Sequence, residues 1–458
     1  MNLDNLIQWD IKPRYRAIVR AVVDGIAKRQ IAIGDRLPPQ RDLAHQLNVA
    51  VATVGRAYAE LEKAGYVVSH VGRGTYITER KPQNSRPPDQ DSQPIDLFTY
   101  RVQVAEMGDA FAQILRGIAA TSITEVLNQA PAAEGDLRHR EALCHWLSTH
   151  GIDVEPGQIV ITNGGQHATM AALSTLTHAG ETIATESLTD PKMKAVAGYL
   201  ERRLAGVACD ADGMIPEALE EICRRRQIAA IYCTPRNQNP TNTVMPADRR
   251  MRIAEIADRF DLPIIESDIY GTLRQDPEPP IQALVPHRTH LVTSLGRIAG
   301  PGTKLGCLVS PLKDVARTQS GVGMSTGSAT YLQGEIACRW IEEGLIPGMV
   351  RWQQADTLRR VSMLAAYPIL GQAVTRPSSP HVWLPLPEPW RADEFVDAAL
   401  AHGILIAPTH NFAVGRDEVP HAVRLVIGSP PTHEDLGTAL DRLERLAASP
   451  PRPHGRTA

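Results

Sequence analysis

Two cations stand seven residues apart in one glycine-rich turn, "TSLGRIAGPGTKLGCLVS" (Thr293–Ser310). Apolar runs flank the turn on both sides and read as strands, so Arg297 and Lys304 sit where a chain reversal leaves backbone N–H groups free. A lysine amine can be tuned to lose its proton and attack a carbonyl. A guanidinium stays charged at any working pH and is no nucleophile, but it binds anions well. The chain has eight lysines (Lys12, Lys28, Lys63, Lys81, Lys192, Lys194, Lys304 and Lys313), so imine chemistry has few places to occur. A second stretch, "TNGGQHA" (Thr162–Ala168), puts Gly164, Gly165 and Gln166 at the step from a strand into a helix. Free N–H groups there can cradle a phosphate.

These residues need elements to hold them. Apolar strands are expected at 158–162, 182–186, 206–210, 229–234, 263–267, 290–294 and 306–310, with helical stretches such as "GQHATMAALSTLTHA" and "RRMRIAEIADRF" between them. That alternation predicts an α/β domain around a mostly parallel seven-stranded sheet covered on both faces. The end of the chain, about 350–448, reads as a smaller α+β part. Ahead of the sheet, "ERKPQNSRPPDQDSQP" (Glu79–Pro94) contains no aliphatic residue and reads as a linker. The expected division is a head at 1–78, a linker at 79–95, a domain at 96–448 (large part about 96–345) and a mobile tail at 449–458.

In the head, "YRAIVRAVVDGIAKRQ" has helical spacing. A short helix is expected from Pro38 and Pro39 to Leu47, and a second from about Ala50 to Ala64 that Gly65 ends. "YVVSH" and "TYIT", joined by "VGRG", then form a two-stranded ribbon. A helix of this kind fits a major groove with donors in its first turns. Thr53 and Arg56 are expected on its exposed side, while Val54, Ala57, Tyr58 and Leu61 pack inward. Arg41 opens the preceding helix, and Arg73 and Gly74 at the ribbon's tip allow close approach to a DNA backbone or minor groove.

Composition narrows the classes. With 43% hydrophobic and 22% charged residues over 458 positions, the chain can bury large cores. A formal net charge of −3 makes any nucleic-acid contact the work of a local basic patch. The six cysteines are scattered with no C-x-x-C pair and are expected as reduced core thiols. No segment approaches the roughly 20 apolar residues of a membrane span, so a cytoplasmic location is expected.

Residues Pro13 to Thr78 resemble the GntR-type winged helix-turn-helix domain, through "GDRLPPQRDLA", "TVGRAY", "LEKAGYV" and "GRGTYI". The resemblance implies binding to a double-stranded DNA operator. Val51 and Gly55 depart from it, because many relatives carry arginines there. From Gly135 to Arg424 the order of motifs resembles a fold-type I aminotransferase, and the whole chain resembles a MocR-type regulator of the GntR family. The aminotransferase resemblance implies a homodimer and a pyridoxal-phosphate site. Asn239 in "CTPRNQNPTN" matches the residue that bonds the cofactor's phenolic oxygen, Tyr270 the tyrosine that shares this role, and Arg424 the arginine that takes a substrate carboxylate. Gly164, Gly165 and Gln166 fall at the phosphate end.

Other positions break the pattern. Arg297 stands at the Schiff-base lysine, Lys304 at an arginine of the phosphate wall, and Ser267 at the aspartate that pairs with the ring nitrogen. Asp190 falls at the stacking aromatic, and Gly296 replaces a serine. Asp268 is not expected to substitute for Ser267, since adjacent strand residues face opposite sides. The expectation is therefore a non-catalytic domain with no covalent cofactor. Pyridoxal phosphate is expected at most as a non-covalent ligand. A small anionic effector is expected where Arg297, Lys304 and Arg424 converge, opposed by Asp190 alone; the competing readings are a domain that serves only as a dimerisation scaffold, and a pyridoxal-phosphate-dependent aminotransferase or pyridoxal-phosphate-responsive domain that uses an atypical lysine such as Lys304.

Overall fold

A computed structural model describes residues 14–27, 30–32, 35–63, 66–70, 74–77, 94–101, 108–121, 123–273, 278–300, 302–415 and 419–449. The chain divides into two compact units, Met1–Gln93 and Pro94–Ala458.

The first unit holds helices α1 (Arg14–Ala27), α2 (Gln40–Gln46) and α3 (Val51–Lys63) and strands β1 (Val67–His70) and β2 (Gly74–Ile77). Ala17, Ile18, Ala21 and Val22 recur on one side of α1, and Val54, Ala57, Tyr58 and Leu61 on one side of α3. Both stripes close over Leu43 and Leu47 to form one core. Pro39 precedes the first helical residue of α2, where a missing N–H is harmless. Asn48, at φ +49°, supplies the left-handed residue between α2 and α3. The Tyr58 hydroxyl donates to the Pro38 carbonyl at 2.7 Å and ties α3 to the entry of α2. β1 and β2 pair antiparallel from Val67↔Ile77 to His70↔Gly74, as the expected ribbon requires. Gly74 opens β2, whereas Arg73, Ala64, Gly65, most of the expected linker and all but the first residue of the expected tail lie outside the described residues.

The second unit is built on a seven-stranded sheet. Its spatial order is Ile159–Thr162, Gly306–Val309, Thr289–Ser294, Ile264–Ser267, Ala230–Cys233, Thr182–Glu186 and Arg203–Val207. Gly306–Val309 runs antiparallel to both neighbours, and the other pairings are parallel. Most strand residues are buried, as a sheet covered on both faces demands. One expected strand is displaced. The run expected at 206–210 is a strand at Arg203–Val207, because its parallel register with Thr182–Glu186 ends at Val207. Cys209–Asp210 instead pairs with Gly213–Met214 as a separate small ribbon.

Helix Ile346–Leu364 leads from this sheet to a three-stranded antiparallel sheet of Val382–Pro385, Ala422–Leu425 and Ala407–Pro408. Helix His433–Ala447 packs Leu436, Leu440 and Leu443 into the smaller core and begins with a reciprocal cap between Thr432 and Asp435. All six cysteines are free. No helix among the described residues is long and apolar enough to cross a membrane.

Gly306 shows how tightly the sheet's carboxyl edge is assembled. A Cβ there would lie 2.7 Å from the carbonyl carbon of Gly164, 2.9 Å from the Gly165 nitrogen and 2.9 Å from the Thr293 oxygen, all backbone atoms. A Gly306→Ala variant is expected to lose about 1–3 kcal/mol of stability through overpacking. Denaturant unfolding measures this, and an unchanged midpoint would mean that the neighbouring backbones give way.

Candidate functional site

The parallel strands end along one edge of the sheet, and open α/β sheets place ligand crevices outside such ends. A cavity of about 530 Å³ lies there. Asn163 to Gln166 enter it after the strand Ile159–Thr162, Asp190 and Lys192 after Thr182–Glu186, and Ile269 after Ile264–Ser267. Ser294, Gly296, Arg297 and Lys304 come from the turn after Thr289–Ser294, while Thr99, Tyr100 and Arg101 come from the start of the unit. Gly164, at φ +88°, precedes helix Gly165–Leu176 and offers no side-chain cap, so the first N–H groups of that helix are available to a ligand. A Cβ at Gly165 would meet Ile269 Cδ1 at 2.9 Å, so glycine keeps the helix close to the neighbouring loop.

Arg297 is held between two aromatic rings. Its guanidinium carbon lies 4.1 Å from the Tyr100 ring centre and 5.0 Å from that of Tyr270. The two rings meet edge to face at 6.0 Å, and the Tyr100 hydroxyl donates to the Arg297 carbonyl at 3.4 Å. A planar, weakly hydrated cation suits such a site better than a compact, strongly hydrated ammonium. His381 packs against Tyr270 with ring centres 5.5 Å apart. Burial first, and then the charge of Arg424, bring its pKa down to about 3, so it adds no further positive charge at neutral pH.

Cations dominate the cavity. Arg101 pairs with Asp96 at 3.5 Å. Among the described residues, Lys192, Arg297 and Lys304 form no ion pair with a carboxylate. Lys192 is held below the usual lysine range by desolvation first and then by Arg297, with Arg424 and Lys304 adding to the effect and Asp190 opposing it. Asp190 is already engaged: one oxygen caps helix Pro191–Tyr199 through the Lys192 N–H at 2.8 Å, and the other accepts from Asn239 Nδ2 at 3.0 Å.

This changes the expected cation set. Arg424 does not line the cavity with Arg297 and Lys304. Its Nη1 donates to Asn239 Oδ1 at 3.1 Å, its Nη2 to the Phe98 carbonyl at 2.7 Å, and its guanidinium faces the Phe412 ring at 5.0 Å. Asn239 and Tyr270 likewise support the wall, Asn239 through Asp190 and Tyr270 through Arg297, and neither lines the cavity. Lys192, Arg101 and Tyr100 are the residues that sequence reasoning missed. Lys192 had one usable signal, its place in the first helical turn after a strand's carboxyl end.

The pyridoxal phosphate implied by the aminotransferase resemblance fits this cavity at one end. The start of helix Gly165–Leu176 and Lys304 suit a phosphate. The ring end does not fit. Ser267 shares a hydrogen bond with the buried Tyr232 hydroxyl, and Asp268 turns away to pair with the buried Arg236 at 3.2 Å. The position that would carry the amine holds the guanidinium between the tyrosines.

In the head, Arg41 is exposed in the first turn of α2. Thr53 is half-buried in the first turn of α3, its N–H bonded to the Ala50 carbonyl at 2.9 Å. Arg56 is exposed, with its guanidinium carbon 4.3 Å from the Tyr15 ring centre. Stacking on α1 fixes the direction in which this cation points.

Residues 14–77 match the model of the bacterial regulatory proteins of the gntR family, and residues 100–443 match that of aminotransferase class I and II. YdeF of Bacillus subtilis, named as an HTH-type transcriptional regulator, is 26% identical over 438 residues, 95% of this chain and 94% of YdeF. PdxR of Corynebacterium glutamicum, named as an HTH-type pyridoxine biosynthesis transcriptional regulator, is 29% identical over 321 residues, 67% of this chain and 68% of PdxR. An archaeal alanine:glyoxylate aminotransferase shares the fold with a TM-score of 0.72 at 21% identity, covering 86% of this chain and 94% of that one. The kynurenine aminotransferase of Pyrococcus horikoshii gives 0.71 at 22%, covering 78% and 91%. A gntR-type head joined to a domain of this fold accounts for nearly the whole chain, which belongs to the aminotransferase class I and II family as a MocR-type DNA-binding transcriptional regulator.

Proposed function

We propose that the aminotransferase-like domain has no transaminase activity and senses a small anionic ligand on behalf of the DNA-binding head. The observation that carries this reading is Arg297, a permanent cation clamped between Tyr100 and Tyr270 where the fold's chemistry needs an amine. Lys192 and Lys304 share its cavity without a carboxylate partner among the described residues, and cations gathered in a cleft favour an anionic occupant. The head binds operator DNA through Arg41, Thr53 and Arg56, with Arg73 and Gly74 at the ribbon tip, and the protein works in the cytoplasm as a homodimer. Leu115, Ile123 and Leu127 support the dimer. They leave 38%, 41% and 76% of their surface exposed on the successive helices Gly108–Thr121 and Ile123–Asn128.

Three outcomes test this. On DNA, affinity falls steeply as salt rises, because phosphate contacts dominate. Arg41→Ala weakens operator binding by about 1–3 kcal/mol if this side chain reads a base edge. A footprint and affinity equal to the parent's would remove Arg41 from the interface. In the cavity, mixing the purified chain with pyridoxal phosphate yields no aldimine absorbance, and borohydride leaves no pyridoxyl adduct. An adduct located by mass spectrometry at Lys304 or Lys192 would mean that another lysine had taken over the amine's task. For assembly, sedimentation velocity at micromolar concentration returns a dimer, and Leu127→Glu shifts it toward monomer. A monomeric parent chain would overturn the assembly proposed here.

A further inference from the structure

The first turn of α3 carries no side chain able to hydrogen-bond a base on the side that adjoins α2. At 3.6 residues per turn, Val51, Ala52 and Gly55 fall on one side of the helix. α2 begins beside them, since a Cβ on Gly55 would stand 3.2 Å from Gln40 Oε1. The exposed Arg41 follows Gln40. Val51 and Ala52 are both exposed, Val51 at 46%. The core stripe begins about one turn later, with the fully buried Val54. A single exposed valine is common on protein surfaces, but at the start of the helix offered to a major groove it is placed to meet an apolar feature of the partner.

Duplex DNA offers one apolar feature in its major groove, the C5 methyl of thymine. We propose that Val51, with Ala52 beside it, reads thymine methyl groups, so that the operator carries thymine at the base pairs facing the first turn of α3. Arg41 and Arg56 flank this apolar face and supply the contacts to phosphates or guanines. Sequence selection at these positions then rests on shape and methyl contact, with no hydrogen bond from the helix face itself. This rests on the DNA-binding reading of the head and adds to it the residue that discriminates and the base feature it recognises.

The full-length chain is used to select binders from a random duplex library at one fixed salt concentration. Each thymine of the selected duplex is then replaced singly by deoxyuridine, which removes the methyl and keeps the pairing. Burying one methyl is worth about a fourfold change in affinity, and a loss of that size is expected at one or two thymines per half-site. Val51→Ala, a change that favours the helix, should lose a similar factor on thymine DNA and become indifferent to deoxyuridine at the same position. Its slope of affinity against salt should match the parent's, since no phosphate contact is altered. The inference is overturned if no single deoxyuridine alters affinity, or if Val51→Ala still pays the full deoxyuridine penalty. A library that yields no enriched sequence would overturn the DNA-recognition reading itself, and this inference with it.

Discussion

A guanidinium sandwiched between two tyrosines governs the character of the larger unit. Arg297 follows the strand Thr289–Ser294, and its rings come from remote places: Tyr100 near the unit's start and Tyr270 just past the strand Ile264–Ser267. A planar cation can lie against ring faces, where the aromatic quadrupole offsets part of its lost hydration. It cannot shed a proton to become a nucleophile. Under the proposed reading, the start of helix Gly165–Leu176 serves as an anion-binding floor, and the position that the resemblance assigns to an amine holds a guanidinium instead.

The charge balance around that floor follows from how the acids are used. Asp190 is spent on a helix cap and on Asn239, and Asp268 on Arg236. His381 is kept neutral by burial. Lys192, Arg297 and Lys304 are left facing the cavity, and desolvation first, then the charge of Arg297, lowers the pKa of Lys192. Under the proposed sensing role, an anion that enters relieves this crowding of cations, which is the differential that a population shift requires.

The head obeys a different constraint. α1 and α3 each spend one stripe on a shared core, which turns their other faces outward. Arg56 is then directed by Tyr15, and Gly55 lets Gln40 at the start of α2 come close to α3. The same packing that stabilises the head selects which of its residues can reach a base.

Much of this was legible in the residues alone. Apolar periodicity located the helices of the head and six of the seven sheet strands to within a residue or two, because a half-buried helix or a fully buried strand must repeat at its own period. The absence of a lysine at Arg297, and of an aspartate at Ser267, needed only residue identity and motif order. The strand at Arg203–Val207 was misplaced because its end is set by the register of its partner, which no local pattern encodes. The cavity's true membership also required the tertiary structure. Arg424 matched a motif, yet Asn239 and the Phe98 carbonyl turn it away, across separations of 185 and 326 residues. Lys192, Arg101 and Tyr100 matched no motif and line the cavity nonetheless. Identity decides what a side chain can do, and packing between distant segments decides which way it points and what it meets.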